Sequence, residues 1–189
     1  MAPQAANHPP VSRRPMTEKH VLFGLAGETF AVELLQLREI LAKYEFTVTP
    51  NLPRTFRGVL ALRGEPIPVV DLRRRFGFPD GEVTDQRRVI IVDLEPNPFG
   101  IEVDQVYRVA TVDPTSIEPP PALTGGGRLP FVLGVTELPD GKLAIHLDMQ
   151  QILSSVEQIH LAELGPTIRD AYRTETSSDL AEPDAPEAM

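Results

Sequence analysis

Four histidines, an arginine triplet, a glycine run and a few paired acids are the residues of this chain whose types could do chemistry. Metal binding or general-base catalysis would need the histidines at ligand spacing, and His8, His20, His146 and His160 show none. His146 alternates with Ala144 and Asp148, as a structural histidine on an exposed or half-buried strand does. The run "TGGGR" (124–128) would cradle a phosphate only between a strand and a helix. It lies inside "DPTSIEPPPALTGGGRLP", which reads as loop. Neither a Gly-x-Ser-x-Gly elbow nor a Walker A glycine pattern is present. Glu102 and Asp104 alternate on one strand and are expected on one surface face. Asp71 and Asp148 each precede a helical pattern and read as N-caps, each contributing about 1 kcal/mol. Arg73, Arg74 and Arg75 read as a solvated helix face whose charge suits the helix C-terminus. These residues make no catalytic set, and the pattern favours a binding module with no metal or cofactor.

The elements that would position them are mostly strands. "HVLFGLAGETFAVELLQL" holds two apolar runs about a Gly27-Glu28 turn, and "VLALRGEPIPVVDL" two about Gly64-Glu65. Two more flank "EPNP" in "RVIIVDLEPNPFGIEVDQV", and two flank Asp140-Gly141 in "FVLGVTELPDGKLAIHLDM". Glycine first in the turn suits type II′, and Asp-Gly suits type I′. Four hairpins imply an all-β fold of barrels or a sandwich. "QLREIL" fits either strand or a turn of helix. Asp71 should open a short helix ended by Gly77, with Pro79 beyond. Asp148 should open a closing helix, with Gln151 placed as in a capping box, running to Gly165-Pro166.

The hairpins also repeat. "VLFGLAGETFAVELLQL" overlays "VIIVDLEPNPFGIEVDQV" at an offset of 68 residues (21 to 89). "FRGVLALRGEPIPVVDL" overlays "FVLGVTELPDGKLAIHLDM" at 76 (58 to 134). Two similar β lobes in tandem are expected, about 18–80 and 81–150.

The composition sets the frame. With 189 residues, 41% of them hydrophobic, one domain with a real core fits, placed at 18–165. Residues 1–17 and the acidic segment 166–189 read as disordered tails. A net charge of −9 argues against a broad nucleic acid surface. The absence of cysteine fits a reducing cytoplasm. No apolar run is long enough to span a bilayer, and no secretory h-region stands at the N-terminus.

"FRGVLALRGEPIPVVDLRRRFG" (56–77) resembles the signature of CheW-like chemotaxis coupling proteins: apolar-x-Gly-Val, then Asn-Leu-Arg-Gly, with Ala61 in place of the Asn here, a Pro-Val-Val/Ile-Asp-Leu strand and a basic short helix. "VLFGLAGETFAVELLQLREIL", "FGIEVDQVYRV" and "FVLGVTELPDGKLAIHLDMQQIL" look like other segments of that family, in the family's order. The resemblance covers about residues 20–155. It implies two intertwined five-stranded SH3-like barrels and a non-enzymatic adaptor. Its partners would be the cytoplasmic tip of a chemoreceptor and the regulatory domain of a CheA-type histidine kinase. Related couplers serve gliding, pilus-driven or developmental pathways. The family's partner-facing residues align with Leu37, Glu39, Gly58 and Arg63, and an Arg63–Glu39 pair is implied.

Overall fold

The structure, a computed structural model, describes residues 17–47, 52–94, 98–120 and 129–153. Its strands are β1 (Glu18–Leu25), β2 (Glu28–Glu33), β3 (Leu37–Leu41), β4 (Phe56–Leu62), β5 (Glu65–Asp71), β6 (Arg88–Val92), β7 (Phe99–Val103), β8 (Gln105–Val112), β9 (Val132–Glu137) and β10 (Leu143–Leu147). Two short helices, α1 (Leu72–Phe76) and α2 (Met149–Ile152), follow β5 and β10. The ambiguous "QLREIL" resolves into a 3₁₀ turn at Leu34–Gln36 followed by β3. The tails, the "EPNP" turn from 95 to 97, the "TGGGR" run and the chain after Leu153 lie outside the described residues.

The strands form two five-stranded sheets, ordered β8-β1-β2-β10-β9 and β3-β6-β7-β5-β4. Neighbours are antiparallel except β2 with β10 and β5 with β7. The all-β, two-lobe expectation stands, but the division of the chain does not fall near residue 80. The repeat is swapped. Hairpin β1–β2 joins β9–β10 in one sheet, while β6–β7 joins β4–β5 in the other. Each half thus gives its first hairpin to one sheet and its remaining three strands to the other. The physical reason is the parallel pairing: Ile145 lies beside Phe30 and Val70 beside Ile101, and each pair closes a sheet only across the halves.

The largest core cluster draws on both sheets, with Phe23, Phe30 and Val32 from one and Ile90, Phe99 and Ile101 from the other. Leu72 of α1 and Met149 and Ile152 of α2 complete it. Fully burying one such side chain contributes about 1.5–3 kcal/mol. Each sheet also has a smaller cluster of its own, one around Leu22 and Ala31, the other around Leu60, Ile67 and Val89. The central strand β7 is buried along its whole length, Glu102 included.

Both N-caps form. The Asp71 carboxylate accepts from the Arg74 N–H, and Asp148 from the Gln150 N–H. Gly77 ends α1 in the left-handed region, φ 75°. The arginine triplet is not a solvated face. Arg73 donates to Asp104 at 2.6 and 2.8 Å, and Arg74 lies 3.4 Å from Asp71 and Asp80. Arg75 donates to the Ile152 carbonyl at 2.6 Å and lies over the Phe131 ring, on which Phe76 also stacks. So α1 pins the two sheets together, because its side chains reach strands and loops of the other half.

Candidate functional site

The site is built around the β4–β5 turn. Leu62 pairs with Glu65, so the two turn residues are Arg63 and Gly64, one position earlier than expected. Their φ values, 53° and 82°, are both positive, as type I′ requires. Type II′ would have put glycine first. The β1–β2 turn shifts likewise, with Ala26 at φ 54° and Gly27 at 89°. There the Asp104 carboxylate accepts the Ala26 N–H at 2.8 Å.

A left-handed backbone costs a side-chain-bearing residue roughly 1–2 kcal/mol, because Cβ crowds the following carbonyl. Asn, Asp or Gly would be the easy choices at Arg63. The Arg63 side chain is nonetheless 76% exposed and lies 3.3 Å from Glu39 on β3. Beside it, Arg38 pairs with Glu65 at 3.0 Å. These two crossed pairs tie the hairpin tip to β3, yet exposed pairs contribute only about 0–1 kcal/mol each. Leu37 is half-buried against the shared core, and Ile40 is exposed. The structure therefore brings Glu39 and Arg63 together, while Leu37 stands before them on β3, across a register shift, packed against the core.

Gly58 is not with them. It lies five residues back along β4, about 16 Å away at strand rise. A bulge precedes it, its φ is 154°, and a Cβ there would meet the Thr47 carbonyl at 2.8 Å. Thr47 and Val59 exchange backbone hydrogen bonds of 2.7 and 3.0 Å. Gly134 repeats this in the other sheet, where a Cβ would meet the Glu118 carbonyl at 2.4 Å beside a Glu118–Val135 bridge. Close backbone approach thus accounts for glycine at both places.

The acids and histidines fall into separate settings. Glu102 is buried, 3.2 Å from Arg57 and 3.7 Å from Arg87, and accepts from the Tyr44 hydroxyl. Burial raises its pKa against the pull of the two arginines. Burial and the Glu102 charge together push the Tyr44 hydroxyl up to about 12. Asp104 lies just beyond the end of β7, bound to Arg73 and the Ala26 N–H rather than to the partners of Glu102. Burial pushes its carboxyl up, but the Arg73 and Ala26 hydrogen bonds outweigh that and hold it low. His146 is buried, not exposed or half-buried as its alternation suggested. Its ring meets His20 edge-on at 4.8 Å, with no partner for either nitrogen. Burial, with His20 adding to it, pushes its pKa down to about 4. His146 on β10 and Glu102 on β7 lie in different sheets, and among the described residues no cluster of three or more His, Asp or Glu could hold a metal ion.

The left-handed Arg63 was missed from sequence, as were the Arg38–Glu65 pair and the three arginine anchors. The available signal was the order Ala-Gly and Arg-Gly, with glycine second, which fits a type I′ turn shifted by one.

A family model for the CheW-like domain matches residues 19–157. The chain belongs to the CheW-like domain family. It is 35% identical over 104 residues to the chemotaxis protein CheW of Bacillus subtilis, covering 55% of this chain and 67% of that one. Against CheW of Rhizobium meliloti it is 27% identical over 138 residues, covering 73% and 88%. The solved scaffolding protein TtCheW of Thermoanaerobacter tengcongensis superposes with a TM-score of 0.67 at 32% identity, covering 75% of this CheW-like chain and 96% of that structure.

Proposed function

We propose that this CheW-like protein is a non-enzymatic adaptor in chemotaxis signal transduction. It couples the cytoplasmic tips of chemoreceptors to the regulatory domain of a CheA-type histidine kinase, and works in the cytoplasm. Its place at a receptor array would come through these partners; among the described residues no helix is long and apolar enough to cross a membrane. Leu37, Glu39 and Arg63 form one partner face, and Gly58, at the far end of β4, belongs to a second contact region. The observation that carries the reading is Arg63: a strained backbone at an exposed tip, where the side chain does little for stability, is a mark of a contact residue.

Purified full-length chain mixed with its cognate kinase and a receptor-tip fragment tests this. Binding to both is expected, and Arg63→Ala should weaken control of kinase autophosphorylation while the melting temperature hardly moves. A folded chain that binds neither partner would overturn the reading.

A further inference from the structure

A groove of about 400 Å³ runs beside Gly58, lined by Leu52, Pro53, Arg54, Phe56, Arg57, Arg74 and Asp80. Arg54 and Arg74 are exposed and Arg57 partly so. Arg57 faces Asp71 and Glu102, and Arg74 faces Asp71 and Asp80, so Arg54 is the cation that gives this groove its positive excess on an otherwise acidic surface. Residues 17–153 carry 14 basic and 19 acidic side chains, whereas 154–189 carry two basic and eight acidic ones. The last sixteen residues, "TETSSDLAEPDAPEAM", hold five acids and no base.

We propose that this acidic segment, 174–189, docks in the arginine groove of its own chain and screens Gly58. Three observations lead there. The described chain ends against α1, the helix whose Arg74 stands in the groove wall: the Ile152 carbonyl accepts from the neighbouring Arg75. Twenty intervening residues reach about 25–30 Å, whether as coil or as helix, which is ample. A segment tethered at that range has a local concentration of about millimolar. Charge then favours the place, because residues 17–153 carry more acidic than basic side chains and an exposed cation acts over a Debye length of about 8 Å. The groove's apolar wall, Leu52, Pro53 and Phe56, suits Leu180, Pro183 and Pro186 between the acids. The contact stands apart from the adaptor reading; only its consequence, competition with a partner at Gly58, rests on that reading.

The chain has no cysteine, so a nitroxide can be placed at Ser178→Cys in the full-length protein. Paramagnetic broadening of the Arg54, Phe56 and Gly58 amide signals is expected at low salt. It should be lost at high salt, in Arg54→Glu, and when Glu175, Asp179, Glu182, Asp184 and Glu187 are changed to Gln or Asn. Unchanged groove signals, or broadening centred elsewhere such as the Arg63 tip, would overturn the proposal. If the groove broadens but a receptor-tip fragment binds the charge-neutralised and native tails alike, the screening of Gly58 is overturned and the contact stands.

Discussion

The β4–β5 and β9–β10 hairpins hold equivalent places in the two sheets, yet they turn by different devices. The first closes on two residues and puts Arg63 in the left-handed region. The second uses five residues, Leu138 to Lys142, with Pro139 and Asp140 in a tight turn closed by Gly141 N–H to Leu138 O. The left-handed position there falls to Gly141, φ 79°. The Asp140-Gly141 type I′ turn expected from sequence is therefore a longer turn whose glycine takes up the strain. At their other ends the hairpins agree, since Gly58 and Gly134 each make room for a crossing segment. The two copies are alike where they build the sheet and unlike where they are exposed. Ala26 shows that a left-handed side-chain residue also serves a turn outside the site, so the cost at Arg63 supports the contact proposal only together with its exposure.

The largest effect should come from the shared feature. Gly134→Ala would force a Cβ against the Glu118 backbone, and Gly58→Ala one against Thr47. Losses of about 3 and 2 kcal/mol are expected, in that order, as for overpacking into rigid backbone. Urea denaturation measures both. A Gly58→Ala protein as stable as the native one would break the equivalence and leave Gly58 a contact residue alone.

The sheets differ again in their buried polar groups. One holds the His20–His146 pair, the other the Glu102 cluster with Arg57 and Arg87. The charged residues nearest the pair in register are Glu33, opposite His20, and Arg108, opposite Leu22. His146 titrates near 4 when folded, below its ordinary 6.5. As pH falls through that window the unfolded chain takes up the proton first. Stability is therefore complete above about 6.5 and declines toward 4, by up to about 3 kcal/mol. His146→Phe should flatten that part of the stability profile; a profile identical to the native one would mean that the pair is not what loses stability in acid.

A smaller effect is expected at the joint between the halves. Arg73→Ala removes a two-pronged bond to a half-buried carboxylate that also holds the Ala26 turn, and should cost about 1–2 kcal/mol. The measurement is the melting temperature, beside Arg74→Ala, whose more exposed pairs should count for less.

These cases show what a sequence carries. Strands, hairpins, both caps and the 68- and 76-residue offsets were legible because alternation, glycine and aspartate act within a few residues. The swap was legible only through the resemblance, which implies intertwined barrels, since it rests on parallel pairings such as Phe30 with Ile145, far apart along the chain. The anchors of Arg73 and Arg75 lie 31 and 77 residues away, so a charged triplet reads as solvated until its partners are placed. His146 misled because period two marks a face but not what covers it. The Arg63–Glu39 proximity was legible only through resemblance, and the strain at Arg63 was hidden by a one-residue error in turn register.

That strain gives the smallest expected change in stability and the sharpest test of the two hairpins. Arg63→Gly would give the β4–β5 tip the left-handed glycine that β9–β10 already has. It relieves a cost of roughly 1 kcal/mol and gives up an exposed ion pair of comparable or lesser size. Removing a side chain from a conserving fold residue lowers stability; here stability should hold or rise by up to about 1 kcal/mol. Kinase control, assayed with receptor tips present, should fall in the same protein. Opposite signs in the two measurements would separate a residue kept for contact from one kept for the turn, whereas a clear loss of stability would return Arg63 to the fold.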